Sequence, residues 1–257
     1  MEEKRGISSR GMKIIALTLM IFNHFCASYG DFVSDSAYLF RELHWYITRP
    51  SFMLYAFMIS EGMVHSSDRR KYILRLFLFA LISEIPYDLC FKRQVIYTDS
   101  QNVFFTLCIG ALAIELLDRY TGETILQGMT CLACCAAAQL GGTDYGFLGV
   151  GTIVCFYLFR GSRKKQLIGT GIAFVFLTAA EYFVQFLQFW PLEVILANLP
   201  QVNYYIFLEL HALAAFPIIA AYNGTLGKVR HKLLFYIAYP AHLLAVYGAI
   251  SMIRAMG

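Results

Sequence analysis

Long apolar runs recur from residue 12 to residue 253, and short polar stretches between them hold most of the charge. Runs of this length suit helices that cross a hydrocarbon core of about 30 Å. The pattern predicts nine helices, near 12–29, 50–65, 71–91, 102–118, 124–140, 145–160, 166–189, 204–222 and 232–253. The expected fold is all-α: a polytopic integral membrane protein with about nine transmembrane helices in one bundle, a single domain over 1–257. Composition agrees. The chain is 58% hydrophobic and only 15% charged, with a mean hydropathy of +0.57. A soluble domain of this size carries more surface charge. The first run is too polar near its end for a cleavable signal peptide, so it is expected to stay as the first span.

The distribution of Lys and Arg sets the expected orientation. With the N-terminus in the cytoplasm, 16 of the 21 basic residues fall in inner segments and 5 in outer ones. Nine spans then place the C-terminus outside. The net charge of +4 follows from these loops and does not call for a nucleic acid.

The first span carries charge inside it. Lys13 and His24 are eleven residues apart, which puts them on nearly the same helix face, about 17 Å apart along the axis. An ionisable group inside a span costs several kcal/mol unless it faces a cavity or a partner. Other polar residues map to the outer half: Glu84 and Asp88 one turn apart with Pro86 between them, Gln101 and Asn102, Asp144 and Tyr145, and Glu181, Glu209, His211 and His242. The expectation is a polar cavity open to the outside and a basic, anion-attracting vestibule inside.

Simpler roles compete with chemistry. One histidine in a span often only bonds a carbonyl. Lys13 has the reach of a snorkelling anchor. Arg160 to Lys165 fits plain positive-inside sorting, and Glu84 and Asp88 suit ion pairs with Arg49 or Arg41. Cys131, Cys134 and Cys135 have a metal-like spacing but apolar neighbours. Like Cys26, Cys90, Cys108 and Cys155, they read as small buried hydrophobes, so no metal site is expected. Asn223-Gly-Thr matches a glycosylation acceptor but falls in an inner loop.

Five stretches resemble the TraX family, named for the protein that acetylates the N-terminus of conjugative F-pilin. They are Ser9 to Ala16 running to Asn23-His24, Arg49-Pro50-Ser51-Phe52 running to Ser60-Glu61-Gly62, Leu81 to Leu89, Gln101 to Leu107, and Asn223-Gly224 with Phe235 to Leu243. Asp144-Tyr145-Gly146 is a weaker sixth. Where the family commonly has Asp-His, this chain has Asn23-His24. Asn-His and a basic residue, ten residues and a histidine are similar to the first helix of the wider transmembrane acyltransferase group. There the histidine is the proposed catalytic residue, which implies that role for His24, with Asn23 beside it. The resemblance does not imply pilin as substrate.

With the depth map, the resemblance implies an acyltransferase that moves an acetyl group from cytoplasmic acetyl-CoA to an external acceptor, an amine before a hydroxyl. That acceptor would be a peptide, an envelope glycan or a small molecule. Arg10, Lys13, Arg75, Lys228 and Arg230 are the expected partners of the CoA phosphates. Glu84 or Asp88 would raise the basicity of His24 or hold a cationic acceptor. Asn102, Tyr239 or His242 would donate to the oxyanion, and Arg49 and Asp144 complete the substrate set. A transporter or channel without acyl transfer would explain intramembrane carboxylates and histidines equally well. It does not need Lys13 and His24 on one face.

Overall fold

The structure, a computed structural model, describes residues 5–30, 44–227 and 233–256. Among these it is all-helical. The elements are α1 (Ser9–Gly30), α2 (Pro50–His65), α3 (Arg69–Phe91), α4 (Val103–Arg119), α5 (Thr124–Leu140), α6 (Gly146–Leu158), α7 (Arg163–Phe189), α8 (Leu192–Ala197), α9 (Leu199–Leu210), a 3₁₀ turn (His211–Ala215), α10 (Phe216–Ala220) and α11 (Leu234–Met256). Residues 44–48 form a short helical segment that leads into α2.

Eight of the nine expected helices coincide with single elements to within about three residues. The stretch expected as one helix over 204–222 is broken, and proline is the reason. Pro191 precedes α8, Pro200 sits in the first turn of α9 and Pro217 in that of α10. A proline ring collides with the carbonyl four residues earlier, so the chain before Pro217 tightens into the 3₁₀ turn. By contrast, α3 continues through Pro86 and α11 through Pro240.

Helix α2 lies at the centre. Pro50, Ser51, Phe52, Met53, Leu54, Ala56, Phe57, Ile59, Ser60 and Met63 are all buried on it, as expected of a helix that is apolar all round. Around it stand α1, α4, α6 and the 3₁₀ turn; α11 joins α1 to α3, and α7 packs on α6 and α9. Gly110 lets α4 approach α6 closely, since a Cβ there would lie 2.5 Å from Ile153 Cδ1.

Polar and apolar residues are arranged as in a membrane bundle. Exposed Leu74, Phe77, Leu78, Leu81, Ile82 and Ile85 form one stripe on α3, while Ser83 and Asp88 of that helix are buried. Four stretches are long and apolar enough to cross a membrane: Ser9–Tyr29, Arg163–Phe189, Leu199–Ala220 and Leu234–Ala255. Helices α2, α4, α5 and α6 are shorter.

Both ends are laced by backbone bonds. At the Ser9 end, Ile7 N donates to Ala221 O (2.8 Å), Asn223 N to Ile7 O (3.0 Å) and Ser9 N to Thr225 O (2.8 Å). Asn223 Oδ1 accepts from Thr225 N and Oγ1, which gives the Asn-Gly-Thr stretch a structural use. At the opposite, Gly30 end, Gln101 N donates to Gly142 O (2.8 Å) and Asp144 N to Gln101 O (2.9 Å).

Candidate active site

Three cavities lie in series between the two ends. The first, of about 170 Å³, opens at the Ser9 end and is lined by Ser9, Lys13, Glu61, His65, Tyr72, Phe104, Tyr236 and Tyr239 among others. The middle one, about 230 Å³, holds Asn23, His24, Trp45, Thr48, Arg49, Tyr87 and Asp144. The third, about 740 Å³, lies at the Gly30 end and is lined by Arg49, Asp99, Gln139, Asp144, Tyr145, Glu181, Tyr182, Gln185 and Glu209. Met20, Tyr55 and Val103 line both the first and the middle cavity. Arg49, Asp144 and Tyr145 line both the middle and the third. Helix α1 therefore carries Lys13 into the first cavity and His24 into the second, as their shared face requires.

His24 is fixed from behind. Its Nδ1 lies 2.7 Å from His242 Nε2, and His242 Nδ1 lies 2.9 Å from the carbonyl of Ala238, one turn back on α11. The two imidazoles are tilted by 18° with centroids 5.0 Å apart, so the nitrogens meet edge to edge. Phe91 at 5.1 Å and Tyr239 at 6.0 Å flank the His24 ring in T-shaped contacts. His24 Nε2 has no hydrogen-bond partner among the described residues.

Asn23 is held elsewhere: its Oδ1 accepts from Thr48 Oγ1 at 2.8 Å. The neighbour that orients His24 is thus His242. With Nε2 facing His24 and Nδ1 bonded to Ala238, His242 has no nitrogen left to donate to an oxyanion. Asn102 is likewise occupied. It is fully buried, caps α4 by accepting from Phe104 N (3.0 Å) and donates to Ala80 O (2.8 Å). Its amide also donates to Glu84 in a short contact. Asp88, also buried, accepts from Tyr97 N at 2.8 Å. Glu84 and Asp88 therefore clamp the connection between α3 and α4, and neither lines the three cavities.

The other expected residues divide between the two ends. Lys13 Nζ sits 5.5 Å from the Phe235 ring, and Arg75 lies 5.9 Å from the rings of Tyr72 and Tyr236, which line the first cavity. Arg10 is exposed beside that mouth, its backbone N bonded to Leu226 O. Lys228 and Arg230 lie outside the described residues. Arg49 binds Glu209 at 3.0 Å and stacks on Trp45 at 4.5 Å. It does not pair with Glu84 or Asp88.

Residues to which the sequence alone gives no role in the site complete the walls. Tyr145 takes a left-handed backbone, φ 69°, which costs a bulky residue on the order of 1–2 kcal/mol. Its ring stacks on Phe52 at 3.7 Å, in the wall shared by the middle and third cavities. Tyr55 spans the junction between the first and middle cavities. Glu181 and Glu209 are 4% and 3% exposed, and each has one carboxylate oxygen without a hydrogen-bond partner. The three clustered cysteines of α5 pack with Leu117, Ala138 and Val150.

The family model for TraX protein matches residues 8–250. A relative is the "Probable fimbrial assembly protein FimC, serogroup H1" of Dichelobacter nodosus, 24% identical over 262 aligned residues. The alignment covers 97% of this chain and 98% of that protein. No solved structure matches. A family match that runs from the first turn of α1 to the last turns of α11 takes in all three cavities, and the chain belongs to the TraX family.

Proposed function

We propose that this protein is a membrane-embedded acyltransferase that moves an acetyl group from cytoplasmic acetyl-CoA to an amine presented on the external side. The observation that carries the reading is the series of cavities, with His24 in the middle one and a bare ring nitrogen available there. In this account the bundle crosses the membrane nine times, the broken stretch from Leu192 to Ala220 counting as one crossing. The Ser9 end is cytoplasmic.

Each cavity suits one part of the reaction. The first is mainly apolar, with Lys13 at its mouth, and fits a pantetheine arm whose phosphates stay near Lys13, Arg10 and Arg75. The third brings four carboxylates, Asp99, Asp144, Glu181 and Glu209, against one guanidinium, Arg49. That balance favours an ammonium group, because buried carboxylates left without counter-charge are costly.

A carboxylate of the third cavity takes the first proton of the ammonium, and in the middle cavity His24 Nε2 takes the second as the neutral acceptor nitrogen attacks the thioester carbon. Tyr55, at the junction, is placed to donate to the developing oxyanion. As the C–S bond breaks, the imidazolium returns its proton to the departing thiolate. The family's pilin acetylase and the fimbrial relative support an exported protein or peptide as the source of the amine.

The test is labelled acetyl transfer by purified protein to model amines. His24→Ala should lose roughly 10²–10⁴-fold in turnover while CoA affinity stays at the parental level. Parental turnover in that variant would end the assignment.

A further inference from the structure

We infer that His242 is a positioning residue that sets the tautomer of His24 and so leaves the reactive nitrogen, Nε2, unprotonated. The inference rests on the reading of His24 as the base, and it goes beyond it by assigning the proton at each of four ring nitrogens.

The chain of assignments starts at a group with no choice. A carbonyl oxygen only accepts, so the 2.9 Å contact with Ala238 O requires His242 Nδ1 to donate. A neutral imidazole that donates at Nδ1 has a lone pair at Nε2. That lone pair faces His24 Nδ1 at 2.7 Å, so His24 Nδ1 must carry the proton. A neutral His24 protonated at Nδ1 has its lone pair at Nε2, the nitrogen with no hydrogen-bond partner among the described residues.

The geometry supports a purposeful contact. His242 is 8% exposed, and its ring is held by its own helix one turn back, so the acceptor position is set before α1 packs against α11. The 18° tilt keeps both nitrogens near one plane, as a bond along the lone pair requires. In hydrolytic triads a carboxylate does this work. Here Asn23, in the family's carboxylate position, is bonded to Thr48, and an imidazole backed by a carbonyl takes over the orienting role.

When His24 accepts the acceptor's proton at Nε2, the Nδ1–H bond to His242 Nε2 becomes charge-assisted and holds the cation until the thiolate takes the proton back. No proton needs to leave the pair, and both rings return to their starting state.

Two variants separate this role from packing. Gln at position 242 places its amide oxygen where Nε2 stood and still accepts from His24. Asn reaches only the Nδ1 position and leaves His24 without an acceptor. The measurements are single-turnover acetyl transfer and ¹⁵N imidazole spectra of histidine-labelled protein in micelles, with His24→Ala used to assign the His24 signals. His242→Gln should keep the parental kcat within about tenfold and His24 protonated at Nδ1. His242→Asn should lose on the order of 10²–10⁴-fold in kcat, leave the donor KM unchanged, and move the His24 proton toward Nε2. Equal losses in both variants, or the parental tautomer in His242→Asn, would overturn the inference. If even the parent transfers no acetyl group, the proposed activity fails, and the tautomer spectra still decide the assignment made here.

Discussion

Replacing Arg49 with methionine takes away the one guanidinium that lines the third cavity among the described residues. Its partner Glu209 is 3% exposed and bonded to it at 3.0 Å, and the Arg49 side chain is 15% exposed. Tyr182 OH, 3.5 Å from the same carboxylate oxygen, is too distant to substitute for the charge. Losing one member of such a pair strands a buried carboxylate and costs about 3–5 kcal/mol. For a chain of this size that is roughly 6–20 °C in Tm. Glu209→Gln should cost less, since Gln keeps the shape and drops the charge. The double variant should recover most of the Arg49→Met loss, giving a coupling of about 2 kcal/mol or more. Equilibrium unfolding in lipid–detergent micelles reads these values. Trp45, stacked on Arg49, is one of only two tryptophans and reports the site by fluorescence. Losses below about 1 kcal/mol for Arg49→Met, or single losses that simply add, would refute the buried pair as the element joining α2 to α9.

Donor affinity should fall with rising salt, and Lys13→Ala should weaken acetyl-CoA binding by about 1.5–3 kcal/mol, roughly 10- to 150-fold in Kd, with little change in the rate of the bound complex. Calorimetry with CoA checks this, and equal affinity in both proteins would place the donor elsewhere. Reporter fusions after Arg70, Lys165 and Gly257 should read cytoplasmic, cytoplasmic and external. A cytoplasmic reading at Gly257 would refute nine crossings, and an external one at Arg70 would refute the orientation. Glu181→Gln and Asp144→Asn should each raise the KM for an amine acceptor while leaving donor KM alone; unchanged acceptor KM in both would detach the third cavity from acceptor binding.

Much of the helical layout was legible because apolar runs and their proline and glycine borders are local properties. The broken stretch around Leu199 was legible in principle too, since Pro191, Pro200 and Pro217 mark each new start. Hydropathy smooths over them. The site was legible in part. Lys13 and His24 share a face through simple helix geometry, and both reach cavities. What sequence spacing does not carry is the partner across the bundle. His24 and His242 are 218 residues apart, and nothing local says that α11 packs beside α1. Glu84 and Asp88 show the converse. They sit one turn apart, but the connection over 92–102 folds back on them, and its backbone N–H groups and Asn102 bond one oxygen of each carboxylate. Glu181 and Glu209 read in the sequence only as polar residues within apolar runs, while their convergence with Asp144 on one cavity depends on how α7 and α9 pack.

The central claim is transfer across the bundle from one side to the other. Sealed vesicles carrying the protein in one orientation, with labelled acetyl-CoA enclosed at the Ser9 side and amine acceptors outside, test it directly. The account predicts label on the external amines, none on matched external alcohols, and loss of label with His24→Ala. Label confined to acceptors enclosed with the donor, transfer to hydroxyls alone, or undiminished transfer by His24→Ala would contradict it.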